Sequence, residues 1–559
     1  MKKRLLAAFL AMAMTAAMVT GCSTPGSGGG DSGAGSGSDS DGGSAESGGK
    51  KRVTYTLRED VPSMDPQNSN SISSASANIH VLACLTRNKE GEVVGDAAET
   101  WEVSDDGLVY TFHLRDGLKW SDGEDVKAED YVYGMQRLMD PDFAADYAFI
   151  GYILKNGTAV NNGEVPVEEL GVKALDDKTV EITLEHPAVY FDAMASMCAF
   201  GPARKDLVEK YGAEYAADPE KAAYNGPFVM SEWKHGDELI MTKNPDYWDA
   251  DSIKLDEICI KTVLDAKTGV AMFEQNEVDI TIVPSDMVPQ YAEGELNTEA
   301  YFTGADDYIM LNQTEGKAFA NKNLRFAMNF GLNRKEYNTL VNYDTYVPAQ
   351  RLVLPNVTSA DTTYGEAYPY EPFPLENDDA KAKEYLDKAV KELGVSSPAD
   401  IQVTLLTTDT ENAKKQAEVL KEQYEKNLGI KVEIEQVTYK ERLQREQDLD
   451  YDMVVTGWVP DYSDAYSYLE LWISDGQYNH SGYNNPKYDE YLEKSTTETD
   501  AKARQDLLFA AEKLFLEEDA ALVPLQLRQD TYLVNPKIEN FNVYFVGYDF
   551  NLVYADLAE

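Results

Sequence analysis

Ile401-Gln402-Val403-Thr404-Leu405-Leu406 opens the stretch that decides the fold class. Its β-branched and apolar residues read as a strand. Glu411 to Leu428 follows as a helix that Gly429 stops, and Ile430 to Val437 reads as a second strand. Met453-Val454-Val455 adds an apolar strand before Gly457. A β-α-β run of this kind predicts an α/β lobe. Working outward, Asp379 to Leu393 is a helix with Ala382, Leu386, Ala389, Val390 and Leu393 on one stripe and Gly394 as its stop. Ala501 to Glu517 is a further helix, and Leu522 to Leu527 a strand around Pro524. Towards the N-terminus, Val53–Leu57, Tyr110–Leu114 and Thr179–Leu184 read as strands. The class is mixed α/β.

The 559 residues carry 98 Asp+Glu against 50 Lys+Arg, a net charge of −48. Such a chain does not track a phosphate backbone, whose binding depends on Lys and Arg. It does not adhere to an anionic bilayer by charge. Residues 1–22 instead have the plan of a secretory signal: Lys2, Lys3 and Arg4, an apolar run from Leu5 to Val19, then Val19-Thr20-Gly21-Cys22. The last four residues resemble a lipobox, which implies that Cys22 is lipidated and holds the protein at a membrane without spanning it. Ser23 to Gly49 contains 11 Gly and 8 Ser in 27 residues and no basic residue. It reads as a flexible tether with a span on the order of 25–30 Å. If Cys22 is lipidated, Cys84, Cys198 and Cys259 remain, as buried thiols or with one disulfide among them.

Catalytic signatures are missing. The chain has no Walker loop, no G-x-G-x-x-G after a strand, no H-E-x-x-H and no G-x-S-x-G elbow. Its five histidines, at 80, 113, 186, 235 and 480, suggest no local metal pair. The expectation is a protein that is not an enzyme and needs no cofactor or metal.

Several segments read together in order. Ala98-Glu99-Thr100-Trp101-Glu102-Val103-Ser104-Asp105-Asp106-Gly107-Leu108 leads into Tyr110-Thr111-Phe112-His113-Leu114-Arg115-Asp116-Gly117, then Trp120-Ser121-Asp122-Gly123. Later come Tyr224-Asn225-Gly226-Pro227-Phe228 and Lys243-Asn244-Pro245-Asp246-Tyr247-Trp248. This set resembles the extracytoplasmic peptide-binding proteins of ABC importers, the peptide/nickel solute-binding family, over about residues 50–550. The resemblance implies a bilobal periplasmic-binding-protein-like α/β fold with two crossovers and an extra α/β domain. It maps lobe I to 50–74, 225–302 and 529–559, the extra domain to 75–224 and the other lobe to 303–528. It implies an oligopeptide ligand, an ABC permease and ATPase as partners, and a monomer anchored by lipid outside the cytoplasmic membrane, in a Gram-positive cell.

A receptor for peptides of any sequence must grip backbone, α-ammonium and α-carboxylate while tolerating varied side chains. Adding the peptide as a strand meets that need, and a buried ammonium requires a charged partner. Gly457-Trp458-Val459-Pro460-Asp461-Tyr462 resembles the family's Gly-Trp-x-x-Asp-Tyr motif. The resemblance gives Asp461 the ammonium, and gives Trp458, Val459 and Pro460 the contact with the peptide strand. Asp60-Val61-Pro62 is expected to supply the opposing backbone, Tyr439 a side-chain pocket, and Tyr147 an approach from the extra domain. Where some relatives place carboxylate-binding arginines, this chain has Glu446 and Val455, with Arg442 and Arg445 nearby. Other cargoes for the same fold are a signalling peptide, a nickel chelate, haem or an oligosaccharide, and an adhesin without a transport role is a further alternative. Asp461 argues for an amine-bearing ligand.

Overall fold

The computed structural model describes residues 50–69, 71–89, 92–291, 298–360, 362–460, 462–474, 476, 478–543 and 550–558. Cys22, the signal and the tether lie outside the described residues, and so does Asp461.

A single hydrogen-bonded path runs through ten strands. Its order is Lys431–Val437, Gln402–Thr408, Met453–Trp458, Thr298–Leu311, Leu522–Val534, Ile280–Val283, Arg52–Leu57, Glu257–Thr262, Glu238–Lys243 and Phe228–Lys234. The β-α-β reading holds at one end, where Gln402–Thr408 pairs in parallel with both Lys431–Val437 and Met453–Trp458. The intervening helix is Glu411–Leu428, closed by Gly429 at φ +70°. Glycine takes that left-handed conformation without the steric penalty of a Cβ. At the other end Arg52–Leu57 pairs in parallel with Glu257–Thr262. Val53 to Leu57 are all buried, as expected of a strand covered on both faces.

Thr298–Leu311 and Leu522–Val534 join the two ends of the sheet. Asp306–Leu311 pairs with Met453–Trp458, and Thr298–Phe302 pairs with Gln529–Leu533 after a register shift between Phe302 and Asp306. Gly304 sits in that shift at φ +76°. A bulge here bends and twists the ladder. Pro524 lies beside a second irregularity, between Asp307 and Tyr308. A residue without an N–H is accommodated at such a break, so the strand read as Leu522–Leu527 continues to Val534.

A separate four-stranded sheet, in the order Ala98–Val103, Val109–Leu114, Thr179–Thr183 and Val172–Asp176, falls within residues 98–183. Tyr110, Phe112 and Leu114 point inward while their neighbours are half-buried. That is the period-2 pattern of a sheet with one covered face. Helix Ala128–Met139 packs on it. Helix Asp379–Leu393 matches its expected bounds, with Gly394 at φ +70°. The helix from Ala501 is α-helical only to Lys513 and widens into a π turn over Leu514–Glu518. Cys84, Cys198 and Cys259 are free and buried. Among the described residues no helix is long and apolar enough to cross a membrane.

Candidate functional site

Strand Met453–Trp458 delivers the Gly-Trp motif to the end of its ladder, where Asp306 opposes Trp458. Gly457 is required there. A Cβ on it would lie 2.3 Å from the Asp306 carbonyl oxygen and 2.5 Å from Asp307 Oδ1. The Trp458 amide donates to Asp306 Oδ1 at 3.2 Å. Burial, followed by the adjacent Asp307, holds the Asp306 carboxyl well above the usual carboxylate range.

Beyond the ladder, Asp464 anchors the loop. Arg504 donates to it through Nη1 at 2.6 Å and Nη2 at 3.0 Å, and the Tyr466 amide through 2.8 Å. All of these groups are buried. Tyr462 stacks on Tyr190 with centroids 4.2 Å apart and planes 5° from parallel, and its hydroxyl donates to Glu470 at 3.0 Å. Thus Val459 and Pro460 are held between a fixed strand end and a fixed turn.

Three adjoining cavities surround this loop. One of about 560 Å³ is lined by Arg58, Glu59, Arg528, Asp530, Tyr346 and Val459 among others. One of about 350 Å³ is lined by Ile72, Tyr147, Met197, Cys198, Val459 and Pro460 among others. One of about 230 Å³ is walled by the aromatic rings of Phe149, Tyr152, Tyr190, Trp458, Tyr462 and Tyr478. Ile72 and Val459 are shared by the first two, and Tyr462 by the last two. The aromatic wall is built edge to face and tilted, with Phe149 and Tyr478 centroids at 6.2 Å and Trp458 and Tyr478 at 6.0 Å.

The expected residues divide accordingly. Trp458, Val459, Pro460 and Tyr147 come together on these cavities. Asp60, Val61 and Pro62 do not line them; Leu57, Arg58 and Glu59 do. The Asp60 carboxylate instead accepts from the Gly236 amide at 2.9 Å, Val61 is buried in the core and Pro62 faces solvent. Tyr439 opens helix Tyr439–Gln447, is 62 % exposed and lies outside all three cavities.

Arg442 and Arg445 are also taken up elsewhere. Arg442 is buried against Glu446 at 2.8 Å and donates to the Val455 carbonyl at 3.1 Å. Burial pushes Glu446 up to about 7, while Arg442 pulls the other way. Arg445 pairs with Glu435 at 2.9 Å and Asp450 at 3.2 Å. The sequence reading did not single out Arg58, Arg528, Phe149, Tyr190 or Tyr478. Arg58 had a signal, because it sits between the strand Val53–Leu57 and the expected rail at Asp60. Among the described residues no group of three or more His, Cys, Asp or Glu is placed to hold a metal.

The main chains of Arg58, Glu59 and Val459 have no hydrogen bond from the described residues, although both segments extend paired strands. Among the described residues these two strand ends are thus open, and Arg58, Glu59 and Val459 line one cavity.

The oligopeptide-binding protein OppA of Bacillus subtilis is 30% identical over 506 residues, which cover 89% of this chain and 91% of that protein. The substrate-binding domain of an oligopeptide ABC transporter from Bacillus anthracis is 34% identical in crystal, with a TM-score of 0.73 over 91% of this chain and 99% of that one. Listeria monocytogenes OppA bound to peptide is 32% identical, with a TM-score of 0.72 over 91% of this chain and 100% of that one. The fold is thus the bilobal α/β fold of these binding proteins, as the ordered motifs implied. Residues 92–480 match the profile of the bacterial extracellular solute-binding proteins, family 5 middle region, and the chain belongs to that family.

Proposed function

We propose that this protein captures oligopeptides outside the cytoplasm and delivers them to an ABC importer. The observation that carries the reading is the pair of open strand ends, Arg58–Glu59 and Val459, on the walls of one cavity. A peptide laid between them would complete hydrogen bonds on both sides, and its side chains would enter the flanking cavities. The names of the relatives support the same cargo. In this reading the protein performs no chemistry on the peptide. Asp461, the residue after Pro460 in the family-like motif, takes the α-ammonium.

The lobes are 50–74 with 225–302 and 529–559 on one side and 303–528 on the other, with 75–224 as the extra domain. The register shift between Phe302 and Asp306 falls where this division crosses the long strand, so closure would bend there. Cys22 is the lipid attachment site, the tether holds a monomer near its permease, and the cell is Gram-positive. Mass spectrometry of the mature N-terminus checks the anchor: a diacylated Cys22 is expected, and an unmodified one refutes it.

Calorimetry tests the cargo. Asp461→Ala is expected to weaken binding of free peptides by about 2–5 kcal/mol, the scale of breaking a buried charge pair. N-acetylated peptides should bind weakly to both forms. Equal affinity for free and acetylated peptides would remove Asp461 from the site.

A further inference from the structure

Glu446 and Val455 offer no cation, and Arg442 and Arg445 are engaged elsewhere, so none of the four serves a ligand carboxylate. We propose that Arg58 and Arg528 bind a carboxylate of the ligand in the 560 Å³ cavity that both line. This rests on the peptide reading above and adds the residues that recognise the second charge of the cargo.

Arg528 is pre-oriented. Its Nε and Nη2 donate to Asp307 Oδ1 at 2.9 and 2.5 Å. Asp307 is buried and also accepts from Gln526 Nε2 at 2.6 Å. One edge of the guanidinium is therefore fixed, and Nη1 has no hydrogen-bond partner among the described residues. The Arg528 side chain remains 43% exposed to the cavity side. Arg58 is exposed on the same cavity and has no hydrogen bond or ion pair within 4 Å among the described residues. A planar fork held on one edge and open on the other suits two-point binding of a carboxylate. No Lys or Arg lines the 350 or 230 Å³ cavity.

Two acids share the wall. The Glu59 carboxylate accepts from the Ser73 hydroxyl at 2.6 Å. Burial pushes the Asp530 carboxyl up, and Arg58 and Arg528 pull it back. Asp530 therefore opposes an incoming anion, which gives the proposal a second handle of opposite sign. A strand paired at Val459 and at Arg58–Glu59 passes these groups, so the anion is either the peptide's terminal carboxylate or an acidic side chain.

The test uses the mature full-length protein and three tetrapeptide libraries, with retained molecules quantified by mass spectrometry. One library is free acid, one is C-terminally amidated, and one is amidated with an internal glutamate. Wild type should retain free acids or the glutamate library over the plain amides by roughly 10–100-fold, the scale of hydrogen bonds to a charged group. The favoured library tells a terminal from a side-chain carboxylate. Arg58→Gln should erase the preference. Arg528→Lys, which keeps the charge beside Asp307 but loses the fork, should reduce it. Asp530→Asn should increase it. Equal retention of all three libraries by wild type, or an unchanged preference in Arg58→Gln, overturns the assignment while peptide binding stands. Retention of none of the libraries overturns the peptide reading and this inference with it.

Discussion

The two sides of the Val459 loop differ in what they offer a ligand. On one side, the 350 and 230 Å³ cavities are walled mainly by aliphatic and aromatic groups with some serines, with neither Lys nor Arg and with Glu470 as their one acid. On the other, the 560 Å³ cavity carries Arg58, Arg528, Glu59 and Asp530. Apolar walls give burial without direction, which suits varied side chains. Charged walls are directional and costly when unmatched, which suits a group that every ligand presents. The loop between them belongs to both, so perturbations of the loop and of each wall separate the roles.

The largest effect is expected at the loop's anchor. Asp464→Ala leaves buried Arg504 without its carboxylate, and a loss of about 3–5 kcal/mol of stability is expected in denaturant titration. Binding of every peptide class should fall together. An effect confined to one class would show that the two sides are held independently. Gly457→Ala comes next. Its Cβ would meet the Asp306 carbonyl at 2.3 Å, and the strain should cost about 1–3 kcal/mol. Wild-type stability in that variant would mean the strand end can shift without consequence.

Acid should act through the backing of the apolar side. His80 lies on helix Ile72–Val81, whose first residue lines the 350 Å³ cavity. Its Nε2 accepts from the Leu552 amide at 3.1 Å, and its Nδ1 is 2.8 Å from the Ser76 carbonyl. The ring is therefore neutral with the proton on Nδ1. Burial holds its pKa down to about 3. The folded state thus resists protonation more than the unfolded chain. The histidine's stability is present above about pH 6.5 and is lost as the pH falls towards 3, at up to ~1.4 kcal/mol per unit. Thermal denaturation from pH 7 to 5 should show this slope, and His80→Gln should flatten it.

The smallest effect is expected on the aromatic wall. Phe149→Ala and Tyr478→Ala should each weaken peptides with aromatic side chains by about 0.5–1.5 kcal/mol relative to alanine-rich ones. Competition assays would measure it. If Phe149→Ala also changed the discrimination between free acids and amides, the two walls would not act separately.

Much of the fold was legible in local pattern. Helices Asp379–Leu393 and Glu411–Leu428 matched because their apolar stripes and terminal glycines are local signals. The long strand Thr298–Leu311 was not read, because Gly304, Asp306 and Asp307 in its middle look like a turn. They are a bulge and two buried acids, held by groups far away in the chain, such as Arg528 and the Trp458 amide. The site divided in the same way. Trp458, Val459 and Pro460 were legible as a contiguous motif, whereas the cavity wall beside them is lined by Leu57, Arg58 and Glu59 and not by Asp60, Val61 and Pro62. The turn that follows aims Val61 into the core and gives the Asp60 carboxylate to Gly236.

By itself the sequence determined the α/β class, the signal-like pattern of residues 1–22, the absence of catalytic signatures and the motif at Gly457–Tyr462. Each of these depends on residues close together in the chain. Tertiary structure decided which charges line the cavities. Arg442 and Arg58 are equivalent as letters, but packing seals the first against Glu446 and Val455 and leaves the second open on a cavity. Among 50 Lys and Arg and 98 Asp and Glu, the partner of each charge is set by long-range geometry, because electrostatic pairing depends on distance in space and on burial.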